Sequence, residues 1–269
     1  MFDRAFSEVF ATQWHVFIIL AALLLVAGEA GYRVGLRHFE RPDGKRREGQ
    51  VGTLEGALLG LLGLLLGFTF AMAVSRFDAR KQLIVGEANA IGTTWLRSAL
   101  LDPKACEDVR ILLRGYAQAR LDLFARSASE ESRKTASARS AAGQADLWKI
   151  AVASAQTASS PTTALFVQSL NEMIDLDAKR IAGARNQVPS SVWLLLMIVS
   201  ATVCWCIGYA TGVGAGERLA ISLVLMPLLV TVVITIIADL DRPRQGLITV
   251  GQESMREVRD LMERNRESE

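Results

Sequence analysis

The chain is organised around four long stretches that lack charged side chains. Residues 9–28, 56–75, 188–216 and 219–238 contain no Asp, Glu, Lys or Arg. Each stretch reaches the roughly 20 residues that a helix needs to cross about 30 Å of hydrocarbon. The pattern therefore predicts four transmembrane helices.

The segments between these stretches are polar and rich in residues that favour helix, and no run of alternating β-branched residues indicates a strand. We therefore predict an all-α integral membrane protein with a helical extramembrane insertion between spans two and three. Five parts are predicted. They are a first span with a basic connector (residues 1–53), a second span that continues as a long helix (54–101), the helical insertion (102–187), a hairpin of spans three and four (188–238) and a polar tail helix (239–269).

Capping residues followed by proline divide the insertion into helices. Asp102-Pro103 and Ser160-Pro161 each place a polar cap before a proline at the first helical position. Residues 127–143 have no large apolar side chain, so they are expected to form a mobile linker or a frayed helix. The helices predicted outside the spans cover about residues 103–126, 145–159, 161–186 and 253–266.

Glycine and proline suggest how the last two spans are connected. Gly208, Gly212, Gly214 and Gly216 are interpreted as marking the turn between spans three and four. Because that connection is short, the two spans should be antiparallel neighbours. Pro227 lies in the middle of span four and is expected to kink it.

Charge and reactive residues exclude several classes of function. The formal net charge is only +2 and the charges are dispersed, so a nucleic-acid partner is not expected. The two histidines, His15 and His38, lie at opposite ends of span one, and the three cysteines have no metal-ligand spacing. No metal site, cofactor or enzymatic activity is therefore expected.

The N-terminal apolar stretch resembles a secretion signal in one respect. It ends in Gly28-Glu-Ala30, a small-x-small pattern that signal peptidases accept. However, Asp3 and Glu8 outweigh Arg4, whereas signal peptides begin with basic residues. We expect the first span to be retained.

Small residues follow one face of the second span. Gly56, Gly60, Gly63, Gly67 and Ala71 recur at steps of three or four, which places them on one side of a helix. Two interpretations remain open: close packing within the monomer, or packing around an oligomer axis or pore. A pore would require several subunits, because four spans of one chain enclose little water.

Polar residues near the ends of the spans also have two interpretations. Thr231, Thr235 and Asp239 share a face of span four, where the hydroxyls either bond to the preceding turn or form a polar stripe beside a conduction path. Glu29 and Glu55 lie towards the same side of the membrane. They either face water or form a charged ring at the mouth of an oligomer.

Glu87 is the most informative polar residue after the second span. It lies between Ile84, Ala88 and Ile91, so it is predicted to be semi-buried in a helical bundle with Arg or Asn as partner. Six further residues are candidates for buried polar positions, namely Asp78, Asn89, Asn171, Glu172, Asp175 and Arg185.

Five segments in this order resemble the bacterial bestrophin-like domain family. They are Gly56–Phe70, Arg76–Arg80 together with Glu87–Gly92, Leu170–Asp175, Arg185–Pro189 and Asp239–Pro243, and the likeness covers roughly residues 54–253. The resemblance implies a four-span protein with a helical insertion. Bestrophins are pentameric anion channels, so it further implies a homo-oligomeric ion channel of the bacterial inner membrane, surrounded by lipid and passing an inorganic ion.

The sequence departs from bestrophins at two places. Bestrophins carry an acidic run after the last span that clasps calcium, whereas here Asp239 and Asp241 are followed at once by Arg242, Pro243 and Arg244. Their pore neck is lined by bulky apolar residues, whereas the regular face here is glycine. Calcium gating is therefore not expected, and a non-conducting membrane-anchored scaffold or sensor, whose insertion binds a partner, remains the alternative function.

Two arguments about the orientation in the membrane point in opposite directions. Basic residues are nearly balanced on the two sides, so the positive-inside rule does not decide. The short basic connector over residues 33–50 favours a cytosolic connector, whereas the resemblance to bestrophins favours a cytosolic insertion. We adopt the cytosolic insertion as the expectation.

Overall fold

Helices account for nearly all of the chain that the computed structural model describes, which is residues 13–39, 44–125, 128–157, 160–214, 220–242 and 248–267. None of these residues lies in a strand, so the all-α prediction is confirmed. The described residues form eight helices, α1 (Gln13–Phe39), α2 (Gly44–Ser98), α3 (Pro103–Leu123), α4 (Glu130–Thr157), α5 (Pro161–Arg185), α6 (Ser190–Gly214), α7 (Ala220–Asp241) and α8 (Glu253–Glu267).

Four segments are long and apolar enough to cross a membrane, as predicted. They lie within Trp14–His38, Gly52–Ser98, Pro161–Gly214 and Leu223–Asp241. The third range contains α6, which the non-helical residues 186–189 separate from the polar helix α5. The four-span architecture is confirmed.

The chain folds into two compact units. The first comprises Met1–Arg76 with Gln187–Thr249, and the second comprises Phe77–Asn186 with Val250–Glu269. The first unit contains α1, α6, α7 and the apolar part of α2, whereas the second contains α3, α4, α5, α8 and the polar part of α2. The helix after the last span is thus part of the same unit as the insertion.

A glycine seam joins α1 to α6 in the first unit. A Cβ added to Gly31 would overlap the backbone carbonyl oxygen of Trp205, and a Cβ on Gly208 would overlap that of Gly28. Such close backbone approach is possible only where both helices lack side chains at the crossing. The seam consists of Gly28, Gly31 and Gly35 on α1 and Gly208 and Gly212 on α6.

The interpretation of Gly208 and Gly212 as turn residues is therefore wrong. Gly208 and Gly212 lie inside α6, and Gly214 is its last residue. Gly216 lies outside the described residues. Gly208 and Gly212 serve helix packing, which a pattern of small residues at steps of four permits as readily as a turn.

The helix α4 corrects a second prediction. Residues 130–157 form one helix. Of the two alternatives for residues 127–143, the mobile linker is therefore wrong for residues 130–143, which are helical, and the helix predicted from 145 begins at 130. Its small residues Ala136 and Ser140 are buried, and a Cβ on Gly143 would lie 3.7 Å from Cβ of Tyr116 on α3. Close packing on α3 stabilises a helix that has few large apolar side chains of its own.

Both predicted caps of the second unit are present. The Asp102 carboxylate accepts the Ala105 N–H at 3.0 Å, and the Ser160 hydroxyl accepts the Thr163 N–H at 3.1 Å. The helices α3 and α5 accordingly begin at the two prolines. Each cap satisfies one of the amides that the first turn of a helix leaves without an internal partner.

The core of the second unit draws on five helices. The tail helix α8 contributes Met255 and Met262, and both are fully buried. Gln252, just before α8, donates its side-chain N–H to the Phe124 carbonyl at 2.6 Å. The other fully buried large side chains of this core are Ile91, Trp95, Leu113, Tyr116, Leu147, Phe166, Leu170 and Met173.

Candidate functional site

The small-residue face of α2 is open. A Cβ added to Gly56, Gly60, Gly63 or Gly67 would have no heavy atom within 4 Å other than its own helix and chain neighbours, and Ala71 is exposed. On the opposite side of the helix, Leu62 and Ala73 are buried. Within the described part of one chain, the glycine face therefore packs against no other segment.

The threonines of α7 bond within their own helix. The Thr231 hydroxyl donates to the Pro227 carbonyl and the Thr235 hydroxyl to the Thr231 carbonyl, each at 2.7 Å. These bonds agree with the local one of the two interpretations given to the threonines. The helix continues through Pro227 from residue 220 to residue 241.

The acidic residues at the ends of the spans differ in their surroundings. Glu29 accepts a hydrogen bond from the Arg33 side chain one turn later, at 2.8 Å, and Glu55 is partly buried. Asp239 is buried and accepts the Ile248 N–H at 2.8 Å. Its carboxylate is thus enclosed within the first unit in the single chain.

Glu87 is the centre of an ion-pair cluster in the second unit. Its Oε1 accepts from Arg120 Nε at 2.5 Å and its Oε2 from Arg180 Nη1 at 2.6 Å. Arg120 Nη1 also contacts the carboxylate of Asp177. Glu87 and Arg120 are 0% exposed and Arg180 is 4% exposed. Of the two kinds of partner predicted for Glu87, Arg or Asn, the structure has two arginines, and Glu87 is fully buried where the prediction was semi-buried.

Aromatic rings and an amide complete the surroundings of this cluster. The Arg180 guanidinium lies 3.8 Å from the centroid of the Phe124 ring, and that of Arg120 lies 5.1 Å from it. Gln144 on α4 donates to the Tyr116 hydroxyl at 3.2 Å and to Asp177 at 2.8 Å. Because these residues come from α2, α3, α4 and α5, the cluster ties four helices together.

Burial and charge act against each other in setting the pKa values of the cluster. Burial alone would lower the pKa of Arg120, but the negative charges of Glu87 and Asp177 raise it above its ordinary value. For Arg180, burial prevails over Glu87 and lowers the pKa. Burial raises the pKa of the Tyr116 hydroxyl, which therefore remains neutral at physiological pH. The cluster is a set of paired charges around a neutral phenol.

The other polar candidates are not buried within one chain. All six are exposed, namely Asp78, Asn89, Asn171, Glu172, Asp175 and Arg185. The inner face of α5 instead continues from Leu170 and Met173 to Asp177 and Arg180 at helical spacing. Arg120 continues the buried face of α3 in the same way. A charged residue in phase with an apolar stripe was the signal that could have identified these partners.

A known protein family matches the sequence of this chain, which folds into a four-span membrane unit and a helical second unit. The sequence matches the family model described as bestrophin-like domain over residues 12–255. The chain belongs to the bestrophin-like domain family. The prediction made from the five segments is confirmed, and the protein is a membrane protein of the bestrophin type.

Solved structures with the same fold cover nearly the whole bestrophin-like chain. A crystal structure of a membrane protein variant superposes with a TM-score of 0.63 at 16% sequence identity, covering 93% of this chain and 96% of the other. Two variants of a bacterial bestrophin homologue from Klebsiella pneumoniae give TM-scores of 0.62 and 0.59 at 16% and 15% identity, covering 93% of this chain and 94% and 97% of theirs. At such low identity the likeness shows the fold. No curated protein matches the sequence.

Proposed function

We propose that this bestrophin-like protein is a homo-oligomeric ion channel in which the glycine face of α2 is turned towards the axis of the assembly. The observation that carries the proposal is that this face is open in the single chain. A helix face without side chains permits close approach of a neighbouring helix or leaves room for a passage.

The other exposed faces of the membrane unit differ in composition from the glycine face. On α1 they present Ile18 and Leu23, and on α6 they present Leu194 and Ile198, all of them large and apolar. Large apolar side chains suit contact with lipid. On α2, Leu64 and Phe70 are also exposed and adjoin the small residues. The glycine positions between them add no side chain, so contact with another subunit or with water along an axis suits these positions better.

The open face continues along the same helix beyond the membrane segment. Asp78, Val85, Asn89 and Leu96 follow Gly67 and Ala71 in helical phase and are exposed. The helix α2 is 55 residues long, and the face from Gly56 to Leu96 covers roughly 60 Å of it at about 1.5 Å per residue. Within the membrane unit, an axis lined by α2 would therefore carry glycine.

The proposed subunit number and ion preference rest on the analogy with bestrophins alone. Bestrophins are pentameric anion channels, so we propose a pentamer that prefers anions to cations. The native mass in detergent measures the first, and the reversal potential under a salt gradient measures the second.

A bulky side chain on the glycine face should obstruct conduction. In planar bilayers containing purified protein, Gly63→Leu and Gly67→Leu are each expected to reduce the current severalfold, because every subunit would add a branched side chain at the axis. The matched control is Ala22→Leu, which adds the same kind of bulk to an exposed position of α1.

Two outcomes would contradict this function. A folded wild-type protein that gives no current, or equal currents from Gly63→Leu and Ala22→Leu, would count against a channel lined by α2. A monomeric mass together with partner binding by the second unit would favour the scaffold or sensor.

We further propose that the protein lies in the bacterial inner membrane with its second unit in the cytosol. A reporter that is active only in the periplasm should then be inactive after Glu269, which shares its side of the membrane with the insertion in a four-span protein. The same reporter inserted in the connector between α1 and α2 should be active. The opposite pattern would reverse the orientation.

A further inference from the structure

A buried carboxylate at the end of α7 holds the beginning of α6 in the first unit. Asp241, the last residue of α7, is 4% exposed. Both of its oxygens accept the backbone N–H of Val188, at 3.1 and 2.9 Å. Val188 is itself buried, and it lies in the non-helical segment just before α6. A charged acceptor makes this bond stronger than one between neutral groups.

Arg76 of α2 supplies positive charge at the same carboxylate. Its Nη1 lies 3.9 Å from Asp241 Oδ1, which is beyond hydrogen-bond length but within the range of strong attraction at a partly buried site. The Arg76 side chain is 21% exposed. Asp241 therefore connects the end of α7 with α2 and with the start of α6.

Asp239, two residues earlier, makes a similar contact with the chain that follows α7. Its Oδ2 accepts the Ile248 N–H at 2.8 Å, and the side chain is buried. Both acids of the Asp239-Leu-Asp241 motif thus point their oxygens at N–H donors of the protein itself.

This arrangement does not suit the calcium ion that bestrophins clasp after their last span. Calcium takes about six to eight oxygen ligands. Here both oxygens of Asp241 share the N–H of Val188, and the positively charged Arg76 guanidinium lies beside them. Among the residues that the structure describes, no group of three or more His, Cys, Asp or Glu side chains could hold a metal ion.

We infer that Asp241, the Val188 amide and Arg76 form a metal-free latch that fixes the relative positions of α2, α6 and α7 in the membrane unit. The latch is a positioning device and acts whether or not the protein conducts ions.

Hydrogen exchange at Val188 tests the latch directly. Pro189 has no amide hydrogen, so a peptide spanning residues 185–190 reports on few amides, of which Val188 is the one bonded to Asp241. In the full chain in detergent, Asp241→Ala is expected to speed exchange of the Val188 amide by about tenfold or more, the scale of one lost charge-assisted hydrogen bond. Arg76→Gln should have a smaller effect in the same direction.

A control variant and a comparison with and without calcium show whether faster exchange at Val188 is specific to the Asp241 contact and independent of calcium. Asp146→Asn, which alters an exposed carboxylate of α4 paired with Lys149, should leave exchange at Val188 unchanged. Wild-type exchange should be equal in millimolar calcium and in excess chelator. If Asp241→Ala does not elute as native protein, Asp241→Asn takes its place and should still speed exchange, because it removes the charge.

Two results would overturn the latch. One is slower exchange of residues 185–190, or a higher melting temperature, when calcium is added to the wild type. The other is an exchange rate at Val188 equal to that of the wild type in an Asp241 variant that elutes as native protein. Neither result depends on current measurements, so the latch and the channel function can fail separately.

Discussion

Replacing Glu87 with alanine is expected to lower the free energy of unfolding of the second unit by about 3–5 kcal/mol, the usual cost of removing one partner from a buried ion pair. The change leaves the guanidinium groups of Arg120 and Arg180 without their shared counter-charge, and both side chains are at most 4% exposed. Neither group can reach water without disrupting the four helices around it. The measurement is thermal unfolding of the full chain in detergent, with proteolysis to locate the part that opens first.

A matched control separates burial from the loss of a carboxylate. Glu172 is an exposed residue of α5, so Glu172→Ala also removes a carboxylate but should change the free energy of unfolding by no more than about 0.5 kcal/mol. Adding Arg180→Met to Glu87→Ala should recover part of the loss, because one uncompensated charge is then removed. Wild-type stability in Glu87→Ala would contradict the role assigned to the cluster.

A single methyl group on the glycine seam should have the second large effect. Gly31→Ala places a Cβ against the backbone carbonyl of Trp205, which cannot rotate away as a flexible side chain could. The helices α1 and α6 must then separate, at a cost of about 1–3 kcal/mol or more. Gly208→Ala should behave alike, because its Cβ would meet the Gly28 carbonyl. Lower melting temperatures in detergent would record both effects.

Gly115→Ala is the control for the seam variants. Gly115 lies inside α3, and a Cβ there meets nothing within 4 Å. Alanine in an open helical position is expected to stabilise the protein by up to about 1 kcal/mol, because glycine costs the helix conformational entropy. If Gly31→Ala and Gly115→Ala changed the melting temperature in the same direction, the seam would not be a close packing contact.

Much of the architecture follows from local features of the sequence. The charge-free stretches identify the spans because placing a charged side chain in hydrocarbon costs free energy. This cost does not depend on which other segments pack against the span. Asp102-Pro103 and Ser160-Pro161 mark the starts of α3 and α5 because capping involves only neighbours within one turn. Glu87 is identifiable as buried because it lies among apolar residues of its own helix.

Other features depend on which segments meet. Glycines at steps of three or four occur on α2 and α6, yet those of α6 form a tight seam with α1 whereas those of α2 remain open. Nothing in the local spacing separates the two cases. Likewise, residues 130–143 lack large apolar side chains, and they become helical because small residues let α4 lie close against α3.

The sequence by itself thus determined the four spans, the helical class, the caps and the family, since each of these depends on the composition of one segment or on neighbours along the chain. Only the tertiary structure decided that Glu87 pairs with Arg120 and Arg180 and that Asp241 holds Val188. These partners lie 33, 93 and 53 residues apart in the chain. Contacts over such separations arise from the path of the folded chain, because a buried charge or amide must find its partner wherever packing places one.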